Sequence, residues 1–197
     1  MAGTLCDGNL TADILNDCTD NVVGGIEVNV LIINDNDIKR TTTAFDATNP
    51  LLTTAFALKT GKSGYLLEGV KQVNVLKDEL VKKERRGDMY KHSFEFVILQ
   101  PTVANRATLH KMNGGKFTVV VELKYKGKTS TEAFVIGGYD SGMELQTATW
   151  STNENDGAIS VMMSSTEGNE EPKPHLTLLV TDYTATATLF ANKFIGA

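Results

Sequence analysis

The stretch that decides the fold is Ile26-Glu27-Val28-Asn29-Val30-Leu31-Ile32-Ile33. It alternates apolar and polar residues before it becomes fully apolar, and this pattern predicts a β-strand. Gly24 and Gly25 come directly before it, and the cluster Asn34-Asp35-Asn36-Asp37 follows it. Because asparagine and aspartate side chains bond to their own backbone, the cluster predicts a turn towards a second strand at residues 38–45.

Strand and turn signals continue along most of the chain. Short runs rich in β-branched and aromatic residues are bounded by glycine, asparagine, aspartate or proline, as expected for a mainly β protein. Further strands are predicted at residues 53–60, 65–76, 92–99, 117–125, 129–136, 143–151, 158–163 and 175–181. Two polar acidic loops join the last three strands, which predicts a closing meander.

One segment carries helix signals instead. Residues 102–113 follow Pro101, offer Thr102 as an N-cap and end at Gly114-Gly115, so they predict an α-helix. The last residues, 183–197, are rich in threonine and predict either a final strand or an arm laid on a neighbouring subunit. Residues 1–25 are expected to form an N-terminal arm. The sequence therefore predicts one domain over residues 1–197, a β-sandwich or barrel with one flanking α-helix and a long charged β-hairpin.

Composition agrees with a folded protein. Hydrophobic residues make up 41% of the chain and charged residues 22%, which is close to the globular norm. No apolar run approaches the roughly 20 residues that cross a bilayer, and the first residues lack the pattern of a secretory signal, so neither export nor membrane insertion is expected. Cys6 and Cys18 are expected to be reduced thiols.

Charge is sorted along the chain. Residues 1–58 carry a net charge of −6, residues 59–128 carry +8, and residues 132–182 carry −8, while Lys193 completes the total of −5. A chain with a basic middle and acidic flanks can neutralise its charges internally, or it can present complementary faces to copies of itself.

No motif for catalysis or cofactor binding emerges. Gly61-Lys62-Ser63 ends like a phosphate-binding loop, but Phe56 stands where that motif requires glycine. The three histidines, which are His92, His110 and His175, show no spacing typical of metal ligands. Glu170-Glu171 lies in a proline-flanked loop, where solvent is expected to leave the carboxyl pKa values ordinary. We therefore predict no enzyme activity, no cofactor and no metal, and an unrecognised hydrolase remains an alternative.

The charged hairpin, residues 71–91, is the strongest functional candidate. Two strands are predicted to extend into it, although a short helix around Leu80 and Val81 is an alternative. A solvated, locally paired hairpin is one interpretation, and a protruding arm that meets acidic loops of another subunit is the other. The candidate contact residues are Lys77, Lys82, Lys83, Arg85, Arg86, Glu154, Asp156, Glu167, Glu170 and Glu171.

The order of these parts resembles that of tail tube proteins from tailed bacteriophages and related contractile injection systems. The resemblance covers the paired strands, the charged hairpin, the helix at 102–113, the hairpin at 117–136 and the closing strands. It implies a homo-oligomer of stacked, commonly hexameric rings in the virion tail, made in the host cytoplasm and joined to other phage tail proteins. The implied tube is a hollow conduit that DNA passes without specific binding. An acidic surface fits such a lumen because it repels phosphate groups.

Two other functions remain open at this point. One is a different virion component, either a capsid decoration protein or a head-tail joining protein. The other is a monomeric β-sandwich binding module.

Overall fold

A computed structural model describes residues 13–14, 22–69, 73–83, 87–153 and 155–195. Within them the chain forms eleven β-strands, numbered in chain order. The strands are β1 Ile26–Asn34, β2 Ala44–Phe45, β3 Leu52–Ala55, β4 Tyr65–Glu68, β5 Val75–Val81, β6 Met89–Ile98, β7 Lys116–Leu123, β8 Phe134–Gly137, β9 Met143–Trp150, β10 Ile159–Ser164 and β11 Leu176–Leu178. The predicted mainly β fold is therefore confirmed.

Two α-helices accompany the sheet, α1 at Val103–Met112 and α2 at Tyr183–Ala191. The predicted cap of α1 is confirmed, because the Thr102 hydroxyl accepts a hydrogen bond from the Asn105 amide at 3.2 Å. No helix in the described ranges is both long and apolar enough to span a bilayer.

All eleven strands belong to one open sheet. Its main path runs β2-β3-β11-β8-β7-β9-β10-β6-β5, and β1 pairs with both β7 and β4 outside this path. The change of direction occurs at β7, where Lys116 and Phe117 pair with β9 while residues 119–122 pair with β8. Strands β5, β6, β9 and β10 therefore form one half of the sheet, and the remaining strands form the other.

The two halves pack in a sandwich-like arrangement around the first of two hydrophobic clusters of described residues. Val30 and Ile32 of β1 belong to the same buried cluster as Phe94 of β6 and Met163 of β10. The next residues of β1, Leu31 and Ile33, point to the opposite face and join a second cluster under α2. Both faces of β1 are thus covered, which explains why its second half is fully apolar.

The C-terminal segment differs from its prediction. Residues 183–191 form helix α2 rather than a strand or an arm on a neighbour, and Phe190 and Phe194 pack in the second cluster of their own chain. The Asp182 side chain caps α2 by accepting a hydrogen bond from the Ala185 amide at 2.8 Å. The predicted N-terminal arm lies mostly outside the described residues.

Two other strand predictions need correction. The predicted second strand is reduced to β2, because the Thr42 amide and hydroxyl both donate to the Lys39 carbonyl and close a turn there. The prediction of a closing meander is also wrong. Strands β9 and β10 are neighbours, but β11 pairs with β8 and, in parallel, with β3, because Leu176 and Leu178 are buried in the second cluster.

Candidate contact site at the charged hairpin

The charged hairpin is built from antiparallel strands, as predicted, and not from a helix. Strands β5 and β6 pair without a break from Val75 opposite Glu95 to Val81 opposite Met89. Strand β5 lies at the end of the sheet, and its residues 77–80 are exposed. The candidate residues Arg85 and Arg86 fall outside the described residues.

Part of the hairpin's charge is neutralised within the chain. Lys83 pairs with Glu170 of the acidic loop, residues 165–175, and both side chains are more buried than exposed. Lys77 pairs with Glu95 on the adjacent strand at 2.7 Å, where both groups are exposed. Exposed pairs of this kind add little stability, whereas the Lys83–Glu170 pair joins two segments that are distant in sequence.

Glu171 fastens the acidic loop to the rest of the domain. Its carboxylate accepts hydrogen bonds from the backbone amides of Asp140, Ser141 and Gly142 at 2.8, 2.9 and 3.1 Å. Its own backbone exchanges two hydrogen bonds with Tyr90 of β6, both at 2.8 Å. With 1% of its surface exposed, Glu171 connects the charged hairpin, the acidic loop and the loop after β8.

The ordinary pKa values predicted for Glu170 and Glu171 are wrong. Burial raises the pKa of Glu171, although the three backbone amides oppose this effect. The hydrogen bond from Lys83 lowers the pKa of Glu170. Both side chains are buried because the loop folds back onto the hairpin, a contact that local composition does not reveal.

Three further candidate residues are open to solvent. Lys82, Asp156 and Glu167 are exposed and form no ion pair within the described part of the chain. Glu154 lies outside the described residues. The structure thus brings together Lys83, Glu170 and Glu171, and it leaves Lys82, Asp156 and Glu167 available to another molecule.

A pair of histidines, His92 buried and His175 partly buried, lies at the base of the same hairpin and was missed at the level of sequence. His92 of β6 and His175 of the acidic loop have ring centroids 4.2 Å apart, beside Asp78 of β5. Asp78 pairs directly across the hairpin with His92, and its Oδ2 lies 3.8 Å from His175 Nδ1. His110, the third histidine, is exposed on α1.

The donors around His92 argue against a metal centre in this cluster. The Gly138 amide donates to His92 Nδ1 at 3.0 Å, and the opposite ring nitrogen, Nε2, lies 3.1 Å from the Lys173 carbonyl. Nδ1 therefore acts as an acceptor, so Nε2 carries the proton and donates it to the carbonyl. Both nitrogens of His92 are occupied, and neither offers a free lone pair to a metal ion.

A cavity of about 630 Å³ adjoins the hairpin. Its walls include Ile26, Leu76 and Leu123, and Asn74 and His175 also line it. Within the described part of the chain, both polar side-chain atoms of Asn74, and Nε2 of His175, are buried and have no hydrogen-bond partner, but they have almost no accessible surface. The cavity is therefore a candidate ligand site because of its volume and its largely apolar walls.

Comparison of the chain with protein-family models, with curated proteins and with solved structures finds no match.

Proposed function

We propose that this chain is a structural virion protein, a tail tube subunit whose copies assemble into stacked rings around a conduit for phage DNA. The observation that carries the proposal is the charged hairpin on a terminal strand of an open sheet. Among the described residues, strand β5 pairs with β6 alone and has no strand on its other side. Unpaired strand edges are aggregation hazards for a monomer, but in a ring each edge is covered by the next subunit.

Charge supports a head-to-tail arrangement of copies. Lys82 extends from the hairpin, while Asp156 and Glu167 lie in two loops with net negative charge, and all three are exposed. Such groups attract their counterparts on another copy and fix its orientation, even though each exposed pair contributes little affinity. Lys83 and Glu170 already pair within one chain, so their part in contacts between copies requires an exchange of partners.

Reversing charge on the hairpin tests this contact. The variant combines Lys82→Glu, Arg85→Glu and Arg86→Glu, and it leaves Lys83 unchanged because Lys83 pairs with Glu170. We expect it to remain folded but to lose polymerisation, since like charges then face each other between subunits. Negative-stain electron microscopy and circular dichroism provide the two measurements.

A matched variant has the same change in net charge at other exposed lysines, Lys39→Glu, Lys111→Glu and Lys128→Glu. It should assemble like the unmodified chain. Equal assembly of both variants and the unmodified chain would contradict the electrostatic contact. Other virion positions, as a capsid decoration or head-tail joining protein, predict trimers or persistent monomers in place of rods.

The cavity favours a second candidate, a monomeric β-sandwich binding module. Its volume of about 630 Å³ lies within the range of small-molecule pockets, and its lining is largely apolar, with Asn74 and His175 among the polar residues. This candidate predicts a stable monomer whose melting temperature rises with a bound ligand, because a ligand that binds the folded state alone stabilises it. Sedimentation of the purified chain separates the two candidates.

A further inference from the structure

We propose that His92 and His175 form a pH-sensitive latch, which holds the acidic loop on the charged hairpin at neutral pH and releases it on acidification. The latch is defined by these two imidazoles together with Asp78. It rests on hydrogen-bond geometry, on the contact between the buried ring of His92 and the partly buried ring of His175, and on the segments that the rings connect.

The hydrogen bonds that His92 forms are compatible only with a neutral imidazole ring. Nδ1 receives the Gly138 amide at 3.0 Å, and Nε2 donates to the Lys173 carbonyl at 3.1 Å. A second proton would have to go on Nδ1, where it would point at the Gly138 N–H. Protonation therefore replaces a hydrogen bond with two opposed donors and breaks the link to the loop after β8.

The nearby ring of His175 increases the free-energy cost of protonating His92. His92 is 2% exposed and its centroid lies 4.2 Å from that of His175. Burial, and then the nearby His175, lower the pKa of His92 to about 3, and burial also lowers the pKa of His175. Asp78 opposes both shifts, but it is one exposed carboxylate beside two imidazoles.

The latch connects the segments that carry the candidate contact residues. The Ser165 amide donates to the His92 carbonyl at 2.9 Å at the start of the acidic loop, and His175 ends the loop. Between them lie the Lys83–Glu170 pair and the two hydrogen bonds that join Tyr90 to Glu171. Separation of the two rings removes the support on both sides of these contacts.

The sign of the pH effect follows from the direction of the histidine shifts. Both histidine pKa values are lower in the latched form than the usual 6.5, so the open form takes up protons first as the pH falls. Latching is complete above pH 6.5 and weakens below it.

Other charged groups around the pair are Asp78, Lys173, Asp140 and Glu171. Burial raises the pKa of Asp140 and Glu171, so these carboxyl groups bind protons more readily in the latched form and oppose the histidines as the pH falls. Variants of the two histidines separate their contribution from that of the carboxyl groups.

Backbone hydrogen exchange at the Tyr90 and Glu171 amides measures the latch. After correction for intrinsic exchange rates, we expect the opening constant to rise about tenfold from pH 7.5 to pH 5.5 if one histidine takes up a proton on opening. A rise of about a hundredfold is expected if both do so, since each proton contributes about a factor of ten over this range. The Val120 amide in the central strand β7 should change less. A rise below twofold, or an equal rise at Val120, would overturn the latch.

Three substitutions test which histidine causes the pH dependence of hydrogen exchange. His92→Asn keeps a side-chain oxygen that accepts from the Gly138 amide but has no titratable ring, so the factor of about ten that His92 contributes should disappear. His175→Asn leaves both hydrogen bonds of His92 in place and should reduce the dependence by about tenfold, which provides a second test if His92→Asn does not fold. His110→Asn, on the exposed face of α1, should leave it unchanged. Full pH dependence in both the His92 and His175 variants would contradict the proposal.

The consequence of the latch for assembly rests on the proposed function. If hairpin and acidic loop meet other copies, release of the loop frees Lys83 and Glu170 for partners on another subunit. Hydrogen exchange reports the latch in a monomer or a ring alike. A monomer with pH-dependent exchange would therefore support the latch and contradict the tube, and a tube without pH-dependent exchange would do the reverse.

Discussion

Glu171→Ala is expected to lower the free energy of unfolding by about 3 kcal/mol. The substitution removes a carboxylate that accepts three backbone hydrogen bonds and leaves the amides of Asp140, Ser141 and Gly142 without their acceptor. Because Glu171 is 1% exposed, its loss also opens space beneath the acidic loop. Denaturation by urea at pH 7 measures the effect.

Glu167→Ala is the matched control for this prediction. Glu167 lies in the same loop and also carries a negative charge, but it is exposed. Its substitution should change stability by no more than about 0.5 kcal/mol. Equal effects of the two substitutions would show that the Glu171 carboxylate does not fasten the loop.

Phe194→Ala should have a still larger effect, a loss of about 3–5 kcal/mol. Phe194 has no exposed surface, and its ring meets that of Phe56 edge to face with centroids 5.1 Å apart. It lies just beyond α2 and anchors that helix to the second hydrophobic cluster. Thermal unfolding of the isolated chain should show a lower midpoint.

The adjacent residue gives the control. Ile195 is 62% exposed, and Ile195→Ala should change stability by no more than about 0.5 kcal/mol. A stable Phe194→Ala monomer that fails to assemble would instead favour the original expectation, an arm laid on a neighbouring subunit.

The regular strands could be predicted because their signals are local. The run Ile26–Asn34, the capped helix at Val103–Met112 and strand β6 of the charged hairpin appear near their predicted places. In each case alternation, or a cap followed by a glycine stop, agrees with the packing that the segment finally has. The single strand predicted at residues 65–76 is instead divided between β4, which pairs with β1, and the start of β5.

The C-terminal helix could not be predicted in this way. Thr184, Thr186 and Thr188 favour a strand on intrinsic propensity. In the fold, the Thr186 and Thr188 hydroxyls donate to carbonyls one helical turn earlier, and Phe190 is buried under the sheet. Tertiary packing here overrides local preference.

The contacts of the candidate site could not be predicted from local sequence either. The charges at Lys83 and Glu170 are visible in the sequence, but their pairing depends on a loop that returns to the hairpin 87 residues later. His92 and His175 likewise meet only through the fold, because one lies on a strand and the other ends a loop. Residue type indicated the charged groups Lys83 and Glu170 but not the histidine pair, and the partners of all four side chains follow from topology.

Negative-stain electron microscopy of the purified chain at neutral pH tests the central proposal most directly. The proposal predicts hollow rods or stacked rings of uniform diameter that disappear when Lys82, Arg85 and Arg86 are changed to glutamate. A chain that remains monomeric or trimeric at every concentration tested would contradict it.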